Sequence, residues 1–235
     1  MEKEVEAVIE SSKAIQEVAK TSGQAIEASK QLGGFVSKFI SAPLEAGVGI
    51  ISDKLQFIRW EKQQKLIVKA SQIMKASGYE RANNPLQLKN AIPLLEYATL
   101  EEDDYLHEMW ARLLVNCTCS QEPQKMTRAF IEILSQLSHL EVRILETIYS
   151  YSFRDIVYLG VTTEHLPERC EIIRSGDDEK QLPPQEVRVA IANLVRLGCL
   201  RFPSVIGGGE IYSLILPTLL GLEFVSACTE KTDSK

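Results

Sequence analysis

Ile92–Asn116 reads IPLLEYATLEEDDYLHEMWARLLVN, and a helix start, a helix face and a charge pattern are all legible in it. Thr99 is placed to N-cap a helix, with Glu102 three residues on to complete a capping box. Glu101, Glu102, Asp103 and Asp104 crowd the first turn, where the helix dipole favours negative charge. Tyr105, Leu106, Met109, Trp110, Leu113 and Leu114 then recur at i, i+3, i+4 spacing, a broad apolar face. Just upstream, Pro93 interrupts a helical pattern over Leu86–Tyr97 and predicts a kink or break near Ile92.

Working outward toward the N-terminus, the next block is basic. Residues 53–98 carry eight positive and four negative side chains, among them Lys54, Arg59, Lys62, Lys65, Lys69 and Lys75. Leu55, Ile58, Leu66, Ile67, Ala70, Ile73 and Met74 supply the face to be buried, and the lysines fall on the solvated side. Residues 32–52, LGGFVSKFISAPLEAGVGIIS, carry only Lys38 and Glu45 as charges. Their length suits a spanning helix, but four glycines and Pro43 weaken any single helix there. A glycine-rich apolar stretch beside a basic helix suits an anionic membrane surface. The candidates for that contact are Phe35, Phe39, Ile40, Ile50, Ile51, Lys54, Arg59, Lys62 and Lys65. Residues 4–31 show a thin stripe of Val, Ile and Ala at helical spacing. Such a helix buries little and expects a partner, the body of the chain or a second copy, so a homo-oligomer, a dimer first, is expected.

Toward the C-terminus, Asn116 to Pro123 reads as a loop and Met126 to Leu137 as a helix. Ser138 caps another through Ile148. Residues 150–183 are irregular. A helix follows from Pro184 to Leu197, stopped by Gly198. Cys199–Phe202 and Glu210–Leu214 read as two strands around the loop Gly207-Gly208-Gly209, and Thr218 caps a closing helix. The fold expected is therefore mainly α: an N-terminal helical bundle followed by a C-terminal winged helix-turn-helix with a two-stranded wing. The divisions expected are 1–52 for the N-terminal helix and apolar segment, 53–137 for a helical core, 138–228 for the winged module and 229–235 for a tail.

The presumed recognition helix offers Arg188, Asn193 and Arg196 to DNA, with Arg201 on the strand after it. The wing, Pro203 to Glu210, has no lysine or arginine, and residues 138–235 count ten positive against fourteen negative side chains. With a net charge of -6 for the chain, nucleic acid is the less favoured partner. Five cysteines, an odd number with no CxxC pair, and a Met-Glu-Lys-Glu start favour reduced thiols in the cytoplasm. Cys117-x-Cys119 lacks the second pair a zinc site needs. His139 and His165 stand isolated in the sequence, and no phosphate loop or nucleophile–base pair is apparent, so no cofactor, metal or catalytic residue is expected. Asp103, Asp104, His107 and Glu108 have ligand-like helical spacing, but capping accounts for the acids.

With these residues in view, the chain resembles the abortive infection alpha family. The resemblance rests on Trp60-Glu-Lys-Gln-Gln-Lys65, Ile92-Pro-Leu-Leu-Glu96, and Leu100-Glu-Glu-Asp-Asp104 through Leu106, Trp110, Ala111, Leu113 and Leu114. Phe130-Ile-Glu-Ile-Leu134 with Gln136-Leu137-Ser138 completes it, and coverage is about residues 32–228. The resemblance implies bacterial anti-phage defence, in which an infected cell stops growing or dies before phage matures. It carries over no catalytic residue. The acidic start Glu101, Glu102, Asp103 and Asp104 recurs in the family pattern as a partner surface or a shared cap. Three readings follow: a non-enzymatic defence protein acting through protein partners or a membrane, a DNA-binding winged-helix regulator, and a metal-dependent nuclease. Cytoplasmic placement, with peripheral contact at the inner face of the cell membrane, goes with the first.

Overall fold

The computed structural model describes residues 40–41, 60–119, 128–173, 181–204 and 208–229. Eight helices and a small antiparallel sheet make the described chain mainly helical. The expected helix over residues 4–31 and nearly all of the apolar stretch 32–52 lie outside the described residues. From the latter only β1 (Ile40–Ser41) is placed, parallel to β2 (Leu86–Gln87) with Ile40 opposite Leu86.

Helix α1 (Trp60–Ala76) buries Leu66, Ala70 and Met74 on one stripe and packs chiefly on α3 (Asp104–Cys119). In the turn that follows it, Asn83 and Asn84 donate their amides to the Thr118 carbonyl at 2.8 and 2.9 Å, tying the turn to the far end of α3. Helix α2 (Leu88–Leu100) runs through Pro93 without a break, which corrects the expectation of an interruption. The proline removes only the bond to the Lys89 carbonyl, near the helix start, and burial of Leu94, Leu95 and Ala98 holds the rest.

Because α2 extends to Leu100, Thr99 is no cap. It is buried in the last turn, its hydroxyl donating back to the Leu95 carbonyl at 2.5 Å. Asp103 caps α3 instead, its Oδ1 accepting from the amides of Tyr105 (2.8 Å) and Leu106 (3.1 Å). Helix α3 is buried along most of its length, with Trp110, Ala111, Leu113 and Val115 fully enclosed. Burying a leucine such as Leu113 stabilises the fold by about 2 kcal/mol.

The rest of the chain runs α4 (Arg128–Leu134), α5 (His139–Tyr149), α6 (Phe153–Ile156), β3 (Val161–Thr162), α7 (Gln185–Arg196), β4 (Leu200–Arg201), β5 (Leu214–Pro217) and α8 (Leu219–Cys228). The expected two strands are a three-stranded sheet, ordered β3-β5-β4 and antiparallel throughout. The return strand lies at Leu214–Pro217, not at 210–214. As the central strand it places Ile215 opposite Val161 and Leu216 opposite Arg201, and it carries the buried run, whereas Glu210 is exposed. Gly198 takes φ +77°, a left-handed backbone that ends α7 at small cost for glycine.

Two polar anchors bind these elements. The Tyr149 hydroxyl donates to the Cys199 carbonyl (2.7 Å) and accepts from the Thr218 amide (3.0 Å), joining α5 to both flanks of the sheet. Gly221 lies against this anchor, and a Cβ there would collide with the Tyr149 hydroxyl and the Cys199 carbonyl. On α3, the buried Asn116 amide donates to the carbonyls of Ala227 (3.0 Å) and Thr229 (2.9 Å), and so holds the end of α8. One contiguous apolar cluster runs from Leu66 to Cys228. Among the described residues no helix is long and apolar enough to cross a membrane.

Candidate functional site

The acidic start of α3 meets two other helices. From α1, Lys62 donates to the Glu101 carbonyl at 3.1 Å and Lys65 pairs with the Asp104 carboxylate. Lys69 reaches the Asp104 carbonyl (3.2 Å) and Glu108 (3.3 Å). The three lysines share one helical stripe, i, i+3 and i+7, so the stripe is spent on one partner. On the other flank, Asp103 pairs with His139 of α5 at 3.1 Å. The Tyr105 ring stacks on His139 with centroids 5.2 Å apart, and its hydroxyl donates to Glu146. His139, isolated in sequence, is thus a junction residue.

These contacts set the local ionisation. The Leu106 amide and then His139 hold the Asp103 carboxyl below its ordinary value. A hydrogen bond from Lys65 lowers Asp104. Partial burial opposes ionisation of Glu108, but bonds from Arg112 and Lys69 outweigh it and keep the carboxyl low. Burial, then the bond to Glu146, pushes the Tyr105 hydroxyl up.

Beneath the seam lies His107, fully buried, its ring facing the Lys62 backbone without a well-formed hydrogen bond. Desolvation, and then the charges of Lys65 and Lys69, depress it from 6.5 to about 4, so it is neutral near pH 7. The indole Nε1 of Trp110, one turn on, is also buried without a partner. Buried polar atoms left unmatched cost roughly 1–3 kcal/mol each.

A cavity of about 210 Å³ opens between α3, α5 and α8. Tyr105, Glu108, Met109, Arg112, Glu146, Cys228 and Thr229 line it. Its charges are already matched within the protein, Arg112 on Glu108 at 2.8 Å and Glu146 on Tyr105.

The sequence candidates separate accordingly. Lys62 is tied to the Glu101 carbonyl just before α3, and Lys65 to Asp104 at its start. Of the remaining membrane candidates, Phe35, Phe39, Ile50, Ile51, Lys54 and Arg59 lie outside the described residues, and Ile40 is placed only as part of β1. Glu101 folds back so that its carboxylate accepts from the amides of Glu102 (2.9 Å) and Asp103 (3.0 Å). Glu102 is exposed. Among the DNA candidates, Asn193 donates to Glu141 and to the Gln136 carbonyl, the latter at 3.2 Å. Arg196 donates to Gln136 Oε1 (2.8 Å) and Asn193 Oδ1 (2.6 Å). Arg201 is exposed and reaches the Val157 carbonyl at 3.4 Å, while Arg188 is half-buried with its Nε shielded. Glu141 was legible as the third residue of a capped helix, and it accepts from the Ser138 amide at 2.6 Å.

The ligand-like spacing of Asp103, Asp104, His107 and Glu108 does not become a cluster. His107 is interior, Asp104 is outside on Lys65, and Asp103 is on His139. No group of three or more His, Cys, Asp or Glu with metal-holding geometry occurs among the described residues. The five cysteines are buried thiols. Burial pushes Cys170 up to about 11 and Cys199 up to about 12, and raises Cys228 well above its ordinary value, the reverse of an activated nucleophile.

No curated protein and no solved structure matches the chain. The family model for abortive infection alpha matches residues 59–228. That span takes in both flanks of the acidic turn and every helix from α1 to α8, well over half the chain. The chain belongs to the abortive infection alpha family.

Proposed function

We propose that this chain is a non-enzymatic abortive-infection effector that works by contact with a protein partner or a membrane, and that residues 138–228 are a winged-helix module used for protein contact rather than for reading DNA. The sheet order β3-β5-β4, with α7 entering β4 directly, supports the winged reading. One departure is the stretch between β3 and α7, which has no helix among its described residues where a helix-turn-helix carries its second helix.

One observation carries the preference for protein contact. Asn193 and Arg196, the side chains a recognition helix would offer to a groove, are bonded to Gln136 and Glu141 of the same chain. The outward positions that remain on and before α7 include Glu186, Val189 and Leu182, an acidic and apolar set. Phosphate contact needs concentrated positive charge, and this face lacks it.

Titration of labelled duplex DNA at low salt tests the module. The expected result is no binding beyond that of an unrelated acidic protein. Steeply salt-dependent binding that Arg196→Ala abolishes would return the chain to the regulators. The effector reading is tested by plaque counts on cells with and without the chain, where unchanged plaque numbers across a phage panel would sink it.

A further inference from the structure

We propose that α1 is a lipid-binding element held shut by the acidic start of α3, and that its partner on release is an anionic membrane surface. The proposal rests on the contact-effector reading and names its partner. Helix α1 carries both halves of an interfacial helix. Leu66, Ala70 and Met74 form a fully apolar stripe with Ile67 and Ile73 beside it, and Lys62, Lys65 and Lys69 form the rim. In the folded chain the stripe is covered by α3, Lys65 and Lys69 are paired with α3 carboxylates, and Lys62 is tied to the Glu101 carbonyl just before it. One element therefore masks both surfaces, and its movement frees both at once.

The mask uses the chemistry a membrane would use. Asp104 and Glu108 oxygens stand where phosphate oxygens of acidic headgroups would bind the same ammonium groups. The Asp104 side chain is 79% exposed, so competing anions reach the pair from solvent. Such exposed pairs hold weakly. Under them the buried His107 faces the Lys62 backbone without a well-formed hydrogen bond and sits in the field of three lysines, so opening the interface hydrates a poorly matched polar group. A nucleic acid would use the lysines and leave the apolar stripe unmatched, whereas a bilayer interface takes both. At 17 residues, with lysines along its rim and Gln72 exposed, α1 lies along a membrane surface rather than across it.

The full chain is co-sedimented with vesicles of equal phosphatidylglycerol and phosphatidylcholine, and with phosphatidylcholine alone. Asp104→Asn with Glu108→Gln frees two lysines and is expected to raise binding to the anionic vesicles roughly tenfold or more, since each freed lysine is worth about fivefold near such a surface. Glu102→Gln changes charge beside the seam without touching α1 and is expected to leave binding near the wild-type level. Lys65→Asp with Asp104→Lys rebuilds the pair and is expected to restore masking. The proposal is overturned if Glu102→Gln raises binding as much as the double neutralisation, if the rebuilt pair binds as strongly as the open one, or if neutral vesicles bind equally.

Hydrogen exchange on the unmodified chain gives an answer that needs no variant. Anionic vesicles are expected to change α1 amide protection while α8 protection holds, and a bound chain with α1 unchanged overturns the proposal. Plaque counts separate the two readings. Protection by a variant that binds no vesicles ends the lipid proposal and leaves the effector intact.

Discussion

The junction of α1 with α3 and the junction of α5 with α8 are both polar contacts over an apolar core, yet they are built oppositely. The first uses long charged side chains at the surface, Lys65 on Asp104 and Lys69 on Glu108, above a buried histidine with no well-formed hydrogen bond. The second uses one interior hydroxyl, Tyr149, on two backbone groups, with a glycine pressed against it. Exposed ion pairs are screened by salt and respond to pH, while a buried neutral anchor responds to neither. The difference assigns adjustability to the acidic turn and fixed geometry to the sheet end.

The sharpest way to break the fixed junction is Gly221→Ala. Its methyl group has no room beside the Tyr149 hydroxyl and the Cys199 carbonyl, and the expected loss is about 3 kcal/mol or more, read by denaturant unfolding. An unchanged midpoint would show that the sheet end yields, and the contrast would fail. The adjustable junction is tested next by acid. His107 takes up a proton near pH 4 when folded and near 6.5 when unfolded, so between those values the unfolded state binds more protons. Stability is therefore complete above about pH 6.5 and falls toward pH 4, by up to about 3 kcal/mol from this residue. His107→Leu removes that slope. A slope that survives in the variant places its origin elsewhere. The carboxylates Asp103 and Glu108, held low, act in a lower window, because their contribution is lost only as pH falls through their folded values.

Tyr149→Phe sharpens the comparison from the other side. It strands the Thr218 amide, while the Cys199 carbonyl keeps its bond from the Thr218 hydroxyl at 3.0 Å, and costs about 1 kcal/mol, with no dependence on salt. The smallest effect belongs to Glu108→Gln. Loss of its bonds to Lys69 and Arg112 costs less than about 1 kcal/mol, and the cost shrinks further in concentrated salt. Equal salt dependence in the Tyr149 and Glu108 variants would erase the distinction.

Helix α3 was readable because its apolar spacing is local, and the leucines and Trp110 that recur at helical intervals are the ones buried. Its cap was misplaced because two cap patterns overlap, Thr99-x-x-Glu102 and Asp103. Only the burial of Thr99 inside α2 decides between them, and that is a tertiary fact. The lysines of α1 were visible as a stripe, but a stripe shows which side chains travel together and not what they meet. β3 is two residues long and exists because β5 pairs with it, so no local period announces it. Asn193 and Arg196 looked available because a helix face in a sequence has no neighbours, and Gln136 with Glu141 are more than 50 residues away.

The Asn116 clamp ties a residue on α3 to a carbonyl 111 positions further along the chain. During synthesis α3 leaves the ribosome long before α8 does. Until α8 follows, the side of α3 that receives it stays bare, and Phe130 lacks the Phe224 ring that later meets it edge-on. The nascent chain therefore carries an open core from the synthesis of α3 until α8 has followed it. A cell that makes this protein holds a delay between starting a copy and possessing a finished one.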